Sequence, residues 1–341
     1  MLNKLLFLGI CLFGVQLAKA QYTDIINSNR PGESFSAFSV GKNVIQAETG
    51  FSYLNQKFTK YPDRKLNGYF IDLDLRYGLL KEELEIIAEF QYRNQNLSFP
   101  DMPSVTQNGF HTFNIGGKYL LYDPFKNYEE KVNIYSWKAN QKFKWRQFLP
   151  AVSVYVGANL FFFNNPYKPD YESKVSPKIM ALLQNHFYGG WVFVTNLYVD
   201  RIASKNTTYG WIFTTTKSIN PQWSAFVEGQ GYKAKKTSDF IVRGGVAYLM
   251  NSNIQLDVSV SKNIHDTRDL IYGGIGFSWR YDKLHQDEKY NKDGTKVEED
   301  KPEKERKKKK RKKADEDQQE APVSDAVKTI ESTDSDDASE E

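Results

Sequence analysis

The groups best placed to do chemistry are charged residues at every second position within apolar segments. Asp72, Asp74 and Arg76 alternate with Ile71, Leu73 and Leu75, and Glu48 opposes Ile45, Ala47, Phe51 and Tyr53. Glu85, Glu89 and Arg93 oppose Leu84, Ile86, Ala88, Phe90 and Tyr92, and Lys118, Glu228, Arg243, Asp257 and Arg280 recur in later segments of the same kind. In an extended chain a period of two sends these groups to one face and the apolar ones to the other. Turning the charged face to lipid costs roughly 2 to 4 kcal/mol for each mid-plane Arg or Lys, so all twelve are expected to line a polar interior. Two chemistries suit such an interior: an eyelet that selects small charged solutes, or ion pairs that close the space. Gly116, Gly157, Gly245, Gly274 and Gly276 fall on the same face, and their small size suggests some open room.

Catalysis finds little support. A hydrolase of the serine–histidine kind needs both groups with an orienting partner. Of the four histidines, His265 falls in a connection, His285 beyond the last segment, and His111 and His186 near segment ends. The chain has no Gly-x-Ser-x-Gly elbow, His-Glu-x-x-His or phosphate loop, so no catalytic residue, cofactor or metal ligand is assigned.

Twelve segments carry the period-two pattern: 44–53, 69–77, 84–93, 110–121, 151–162, 179–188, 191–199, 209–218, 223–231, 240–250, 254–261 and 270–281. Almost no helical period lies between them. A series of this kind predicts an all-β fold, a transmembrane antiparallel up-and-down β-barrel of about 12 strands with a lipid-facing exterior. An even count returns both ends of the barrel to one side, which in bacterial barrels is the periplasm. Connections alternate between short ones with turn chemistry, such as Gly189-Gly190 and Asn220-Pro221, and longer polar ones, as short periplasmic turns and long external loops require. The exception is 122–150, long yet on the short-turn side, where Glu129, Glu130, Lys131, Lys138 and Lys142 with Tyr135, Trp137 and Trp145 suggest an interfacial amphipathic helix or a covering linker.

Flanking segments set the compartment. Lys4, the apolar run Leu5 to Leu17 and Ala18-Lys19-Ala20 read as a secretory signal over 1–20, cleaved before Gln21. Cys11 lies within that run, so the exported chain is expected to hold no thiol. Residues 21–43 are expected to form an N-terminal periplasmic segment, followed by the barrel over 44–281. A mean hydropathy of −0.61 suits alternation, and an aromatic content of 15% suits interfacial girdles. The net charge of +4 averages two unlike regions and argues for no nucleic-acid partner.

From 282 to 341 the pattern stops. Too little apolar surface remains to offset an ordering entropy of roughly 1 to 2 kcal/mol per residue, so a disordered, charged periplasmic tail is expected. Its basic run, Arg306, Lys307, Lys308, Lys309, Lys310, Arg311, Lys312 and Lys313, suits anionic headgroups, cell wall or a partner protein, or serves solubility alone.

Ile26-Asn27-Ser28-Asn29-Arg30-Pro31-Gly32, followed by Phe38-Ser39-Val40-Gly41, resembles the outer-membrane barrel family named for the MetA pathway of phenol degradation. So does Trp137-Lys138 through Lys144-Trp145-Arg146 leading into Pro150-Ala151-Val152, in a form like those of flavobacteria and other Bacteroidota. The resemblance covers about 25 to 281 and implies an outer-membrane barrel usually labelled a transporter, without catalytic residues; the long tail is not part of that pattern. The reading is therefore a passive channel or transporter for small solutes, embedded in outer-membrane lipid with both termini periplasmic. The alternatives are a non-conducting accessory barrel that docks outer-membrane or periplasmic partners through its tail, and a phospholipid hydrolase.

Overall fold

The computed structural model describes residues 25–58, 61–100, 102–124, 135, 145–161, 165–168, 173–235, 237–264 and 268–285. The signal over 1–20, the tail run Arg306 to Lys313, His265 and most of 122–150, including the suggested amphipathic helix, lie outside them.

Twelve strands close into one antiparallel barrel: β1 (Ile45–Phe58), β2 (Tyr61–Gly78), β3 (Leu84–Ser98), β4 (Val105–Tyr122), β5 (Ala151–Leu160), β6 (Val175–Phe187), β7 (Trp191–Asp200), β8 (Thr208–Ser218), β9 (Trp223–Lys233), β10 (Ser238–Asn251), β11 (Ile254–Asn263) and β12 (Arg268–Tyr281). Each strand pairs with its sequence neighbours, and β1 pairs with β12 to close the sheet. Closure leaves no edge with unpaired backbone groups, which lipid demands.

The alternation holds through the ladder. On β12, Ile271, Ile275, Phe277 and Trp279 face outward with 40 to 62% of their surface exposed, while Gly276, Ser278 and Arg280 between them are buried. From Ile271 to Tyr281 a strand rises about 33 Å, or roughly 25 Å along an axis tilted by about 40°, the height of a barrel's apolar band. Outward aromatics at strand ends, including Trp191, Trp223, Trp279 and Tyr281, sit where an interface favours them.

Most strands extend past their expected limits at the end away from the termini. β1 and β2 pair as far as Phe58 with Tyr61, and Gln95 on β3 donates to Gln107 on β4 across 3.0 Å, so much of the expected loop at 55–65 and 94–109 is strand. The expected limits fell where apolar alternation stopped. Backbone pairing needs no apolar residue, and Pro177 does not stop β6, where it sits opposite Ala158.

Residues 25–44 do not lie outside the barrel as a separate segment. They enter at the end where β1 begins, with the Ile26 amide bonded to Ser252 O in the β10–β11 turn at 2.7 Å. They cross the interior and return to β1, where the Asn43 amide meets Gly78 O at 2.9 Å. Burial of their backbone is tolerable only because the barrel wall supplies partners.

Candidate functional site

The interior is built from that segment and the charged wall around it. It forms a hydrogen bond or ion pair with every one of the twelve strands. On β1, Glu48 accepts from Ser28 Oγ at 2.8 Å and from the amides of Asn29 and Arg30 at 3.0 and 3.1 Å. Arg76 of β2 donates to Asn27 O at 2.6 Å, the Val40 amide donates to Glu85 of β3 at 2.8 Å, and Lys118 of β4 donates to Ser36 O at 2.8 Å. Ser153 of β5 donates to Ala37 O, Gln184 of β6 accepts the Ala37 amide at 2.9 Å, and Asn196 of β7 both accepts from and donates to the backbone of Phe35. Thr214 of β8 meets Ser34 Oγ at 2.8 Å, Glu228 of β9 accepts the Glu33 amide at 3.1 Å, and Arg243 of β10 lies 3.5 Å from the Glu33 carboxylate. Asp257 of β11 pairs with Arg30 at 3.3 Å, and Ser278 of β12 meets Ser28 Oγ at 2.8 Å.

Six of the twelve charged residues marked by the sequence also neutralise one another. Arg76 bridges Glu48 at 3.2 Å and Glu85 at 3.1 Å, Lys118 reaches Glu85 at 2.7 Å, and all four side chains are fully buried. Arg243 pairs closely with Glu228. Glu89 pairs with Lys178 at 3.5 Å, a cation absent from the sequence-based set. Arg280 turns to Asn253 and Asp282 at the rim, and Arg93 stacks over the Phe70 ring at 5.4 Å. Asp74 is half-buried on the same wall. Near the termini these groups close the space by pairing.

Arg30 supplies what the wall lacks. The expected set holds seven carboxylates against five cations, an excess of acid in a poorly solvated space. In register across four strands run Asp257, Gly276, Gly50 and Asp72. The guanidinium of Arg30 lies on the two glycines with one carboxylate at each side, 3.3 Å from Asp257 and 4.0 Å from Asp72. A β-carbon on Gly276 would meet Arg30 Nε at 2.3 Å, and one on Gly50 would meet Nη2 at 2.3 Å. The inward glycines therefore do not leave empty room as expected. Gly276 makes way for Arg30, while Gly116 and Gly157 make way for the Tyr155 ring.

The opposite wall is different in kind. Between the segment and strands β6 to β11 lies a cavity of about 900 Å³. It is lined by Val192, Val194, Thr214, Phe226, Ala247 and Leu249 from the barrel, faces Arg30 and Pro31 of the segment, and reaches the rim at Asn220 and Gln222. The part of the cavity lining that comes from strands β6 to β11 holds no carboxylate, lysine or arginine, while Arg30 of the segment and Asp123 after β4 border it; Lys178, Glu228, Arg243 and Asp257 of those same strands lie elsewhere in the interior. The sequence-based set missed the neutral lining residues because it selected for charge alone. Ser28 to Gly32 falls within the segment 21–43 expected to be periplasmic, although the acid excess was a signal that the interior needed a further cation.

Among the histidines, His186 lies 2.9 Å from Gln184 and edge-on to Phe38, His111 contacts Thr112 and Tyr167, and His285 lies 2.9 Å from Lys42 O. Among the described residues no cluster of His, Cys, Asp or Glu has metal-binding geometry.

Residues 28–281 match the family described as "Putative MetA-pathway of phenol degradation". The chain belongs to that family. The matched span begins inside the luminal segment and ends with β12, so segment and barrel fall within one family unit. No curated protein matches the chain. Among solved structures it is similar to the COG4313 outer membrane channel from Pseudomonas putida F1, at 9% identity over 74% of this chain and 100% of that one, with a TM-score of 0.49. It is also similar to the translocator domain of the autotransporter NalP from Neisseria meningitidis (6% identity, 74% and 90% covered, TM-score 0.42) and to the CymD monoaromatic hydrocarbon channel (9%, 72% and 90%, 0.40).

Proposed function

We propose that this protein is a passive outer-membrane channel for small solutes, with both termini on the periplasmic side. The observation that carries the reading is the cavity of about 900 Å³ beside the luminal segment, lined from β6 to β11 without carboxylate, lysine or arginine, which reaches the terminal rim inside a barrel with an apolar exterior. Its volume falls within the roughly 300 to 1,000 Å³ of small-molecule sites, and its mixed lining of Val, Phe, Leu, Thr and Gln suits small, uncharged or weakly polar solutes better than ions. The secretory signal read from residues 1–20 supports export, and the even strand count supports termini on one side.

Reconstitution of the full chain into planar bilayers tests the proposal. Small discrete conductance steps are expected, together with swelling of proteoliposomes in small neutral solutes. Absence of both in protein shown to be folded would remove the channel reading. Protease access to a C-terminal tag in intact cells, without permeabilisation, would overturn the orientation.

A further inference from the structure

The luminal segment has two unlike halves. Residues 34–37 are buried, with Phe35 packed edge-on against Tyr155 at 5.6 Å within a cluster that includes Ile87, Met180 and Leu182, and the chain continues covalently into β1. Residues 27–32 are only partly buried, hold the wall by polar contacts, and all line the cavity. Polar contacts exchange readily for water, because a typical hydrogen bond contributes only about 1 kcal/mol net. An apolar plug of the same length would not part so easily.

Arg30 stands where the two solvent-reached parts of the interior meet. One side of it borders the cavity. On the other it touches Asp72, which keeps 20% of its side-chain exposure, and beyond that Glu89 and Lys178 keep 18% and 17%. Gly32, whose β-carbon position lies 2.5 Å from Glu228 Oε2, falls between the two halves and gives the backbone local freedom. The adjoining cavity offers space into which the first half can move.

We infer that residues 25–33 form a hinged leaf that gates the lumen, latched by Arg30 on the Gly50–Gly276 floor between Asp257 and Asp72. With the latch released, the leaf turns about Gly32 to Ser34 into the cavity, and the cavity joins the space above Asp72. The anchored half, 34–44, stays in place and narrows the opening. This inference rests on the channel reading for its consequence, but leaf motion is measurable without conduction.

The test uses the full chain in a Cys11→Ser background. Ser28 and Ser278, whose hydroxyls lie 2.8 Å apart, are replaced together by cysteine, a spacing that suits a disulfide. Oxidation, confirmed by mass spectrometry, is expected to cut conductance events at least tenfold relative to the same protein after dithiothreitol. Separately, Arg30→Gln in a Ser28→Cys background is expected to raise the rate of modification by a charged thiol reagent about tenfold, the lower range for loss of a charge-assisted hydrogen bond. Equal conductance in oxidised and reduced protein overturns the leaf and leaves the channel standing. No conductance in any state, with labelling still accelerated by Arg30→Gln, sinks the channel and retains the leaf. Labelling unchanged by Arg30→Gln overturns the latch.

Discussion

Arg76→Met is the most informative single perturbation of the closed interior. Glu48, Arg76, Glu85 and Lys118 are each buried and together carry no net charge. Removing the guanidinium leaves a net charge of minus one and deletes donors to Glu48, Glu85 and the carbonyls of Asn27 and Phe38. Breaking one partner of a buried pair costs about 3 to 5 kcal/mol. The lower end applies, because Glu85 retains Lys118 and the Val40 amide, while Glu48 retains Ser28, Gln46 and two amides. Adding Glu48→Gln restores neutrality, so the double variant should recover about half of the loss and stand above the single one. Equilibrium guanidinium unfolding in phospholipid vesicles, followed by tryptophan fluorescence, measures both. A single-variant loss under about 1 kcal/mol, or a double variant no more stable than the single one, would refute a charge-balanced closure.

Three further outcomes follow from the same geometry. Gly276→Ala should displace Arg30 and Asp257, whose atoms lie 2.3 and 2.5 Å from the added carbon, and accelerate labelling of a Ser28→Cys thiol; Gly117→Ala, with its nearest neighbour at 3.9 Å, should leave labelling at the parent rate. Phe35→Ala empties a buried ring position and should cost about 3 to 5 kcal/mol in the same unfolding assay, so a change below about 1 kcal/mol would show that the anchored half is not packed as described. Val258→Arg on the outward face of β11, where Val258 is half exposed, should cost about 2 to 4 kcal/mol in vesicles, and a neutral result would place that face in water rather than lipid.

The particular residues show why some features were legible in sequence. Ile71, Leu73 and Leu75 against Asp72, Asp74 and Arg76 can satisfy lipid and interior together in only one orientation, so facing could be read directly. The far strand ends were less legible. Asn55, Gln95 and Gln107 pair in the ladder though no apolar period marks them. The role of Arg30 was hidden because nothing local in Ser28-Asn29-Arg30-Pro31-Gly32 states which wall it meets. Its partners Asp257 and Asp72 stand 227 and 42 residues further along the chain.

Sequence alone determined the strand number and the closed antiparallel class, because a period of two is a local property that a lipid exterior makes decisive. Only the tertiary structure decided what the interior contains. A segment without regular structure acquires its place from partners scattered over twelve strands, and long-range pairing of that kind leaves no period in the chain. It also decided that the whole wall clasps a peptide while uncharged residues of β6 to β11 border the cavity beside it, since both facts depend on which strands closure of the sheet sets face to face.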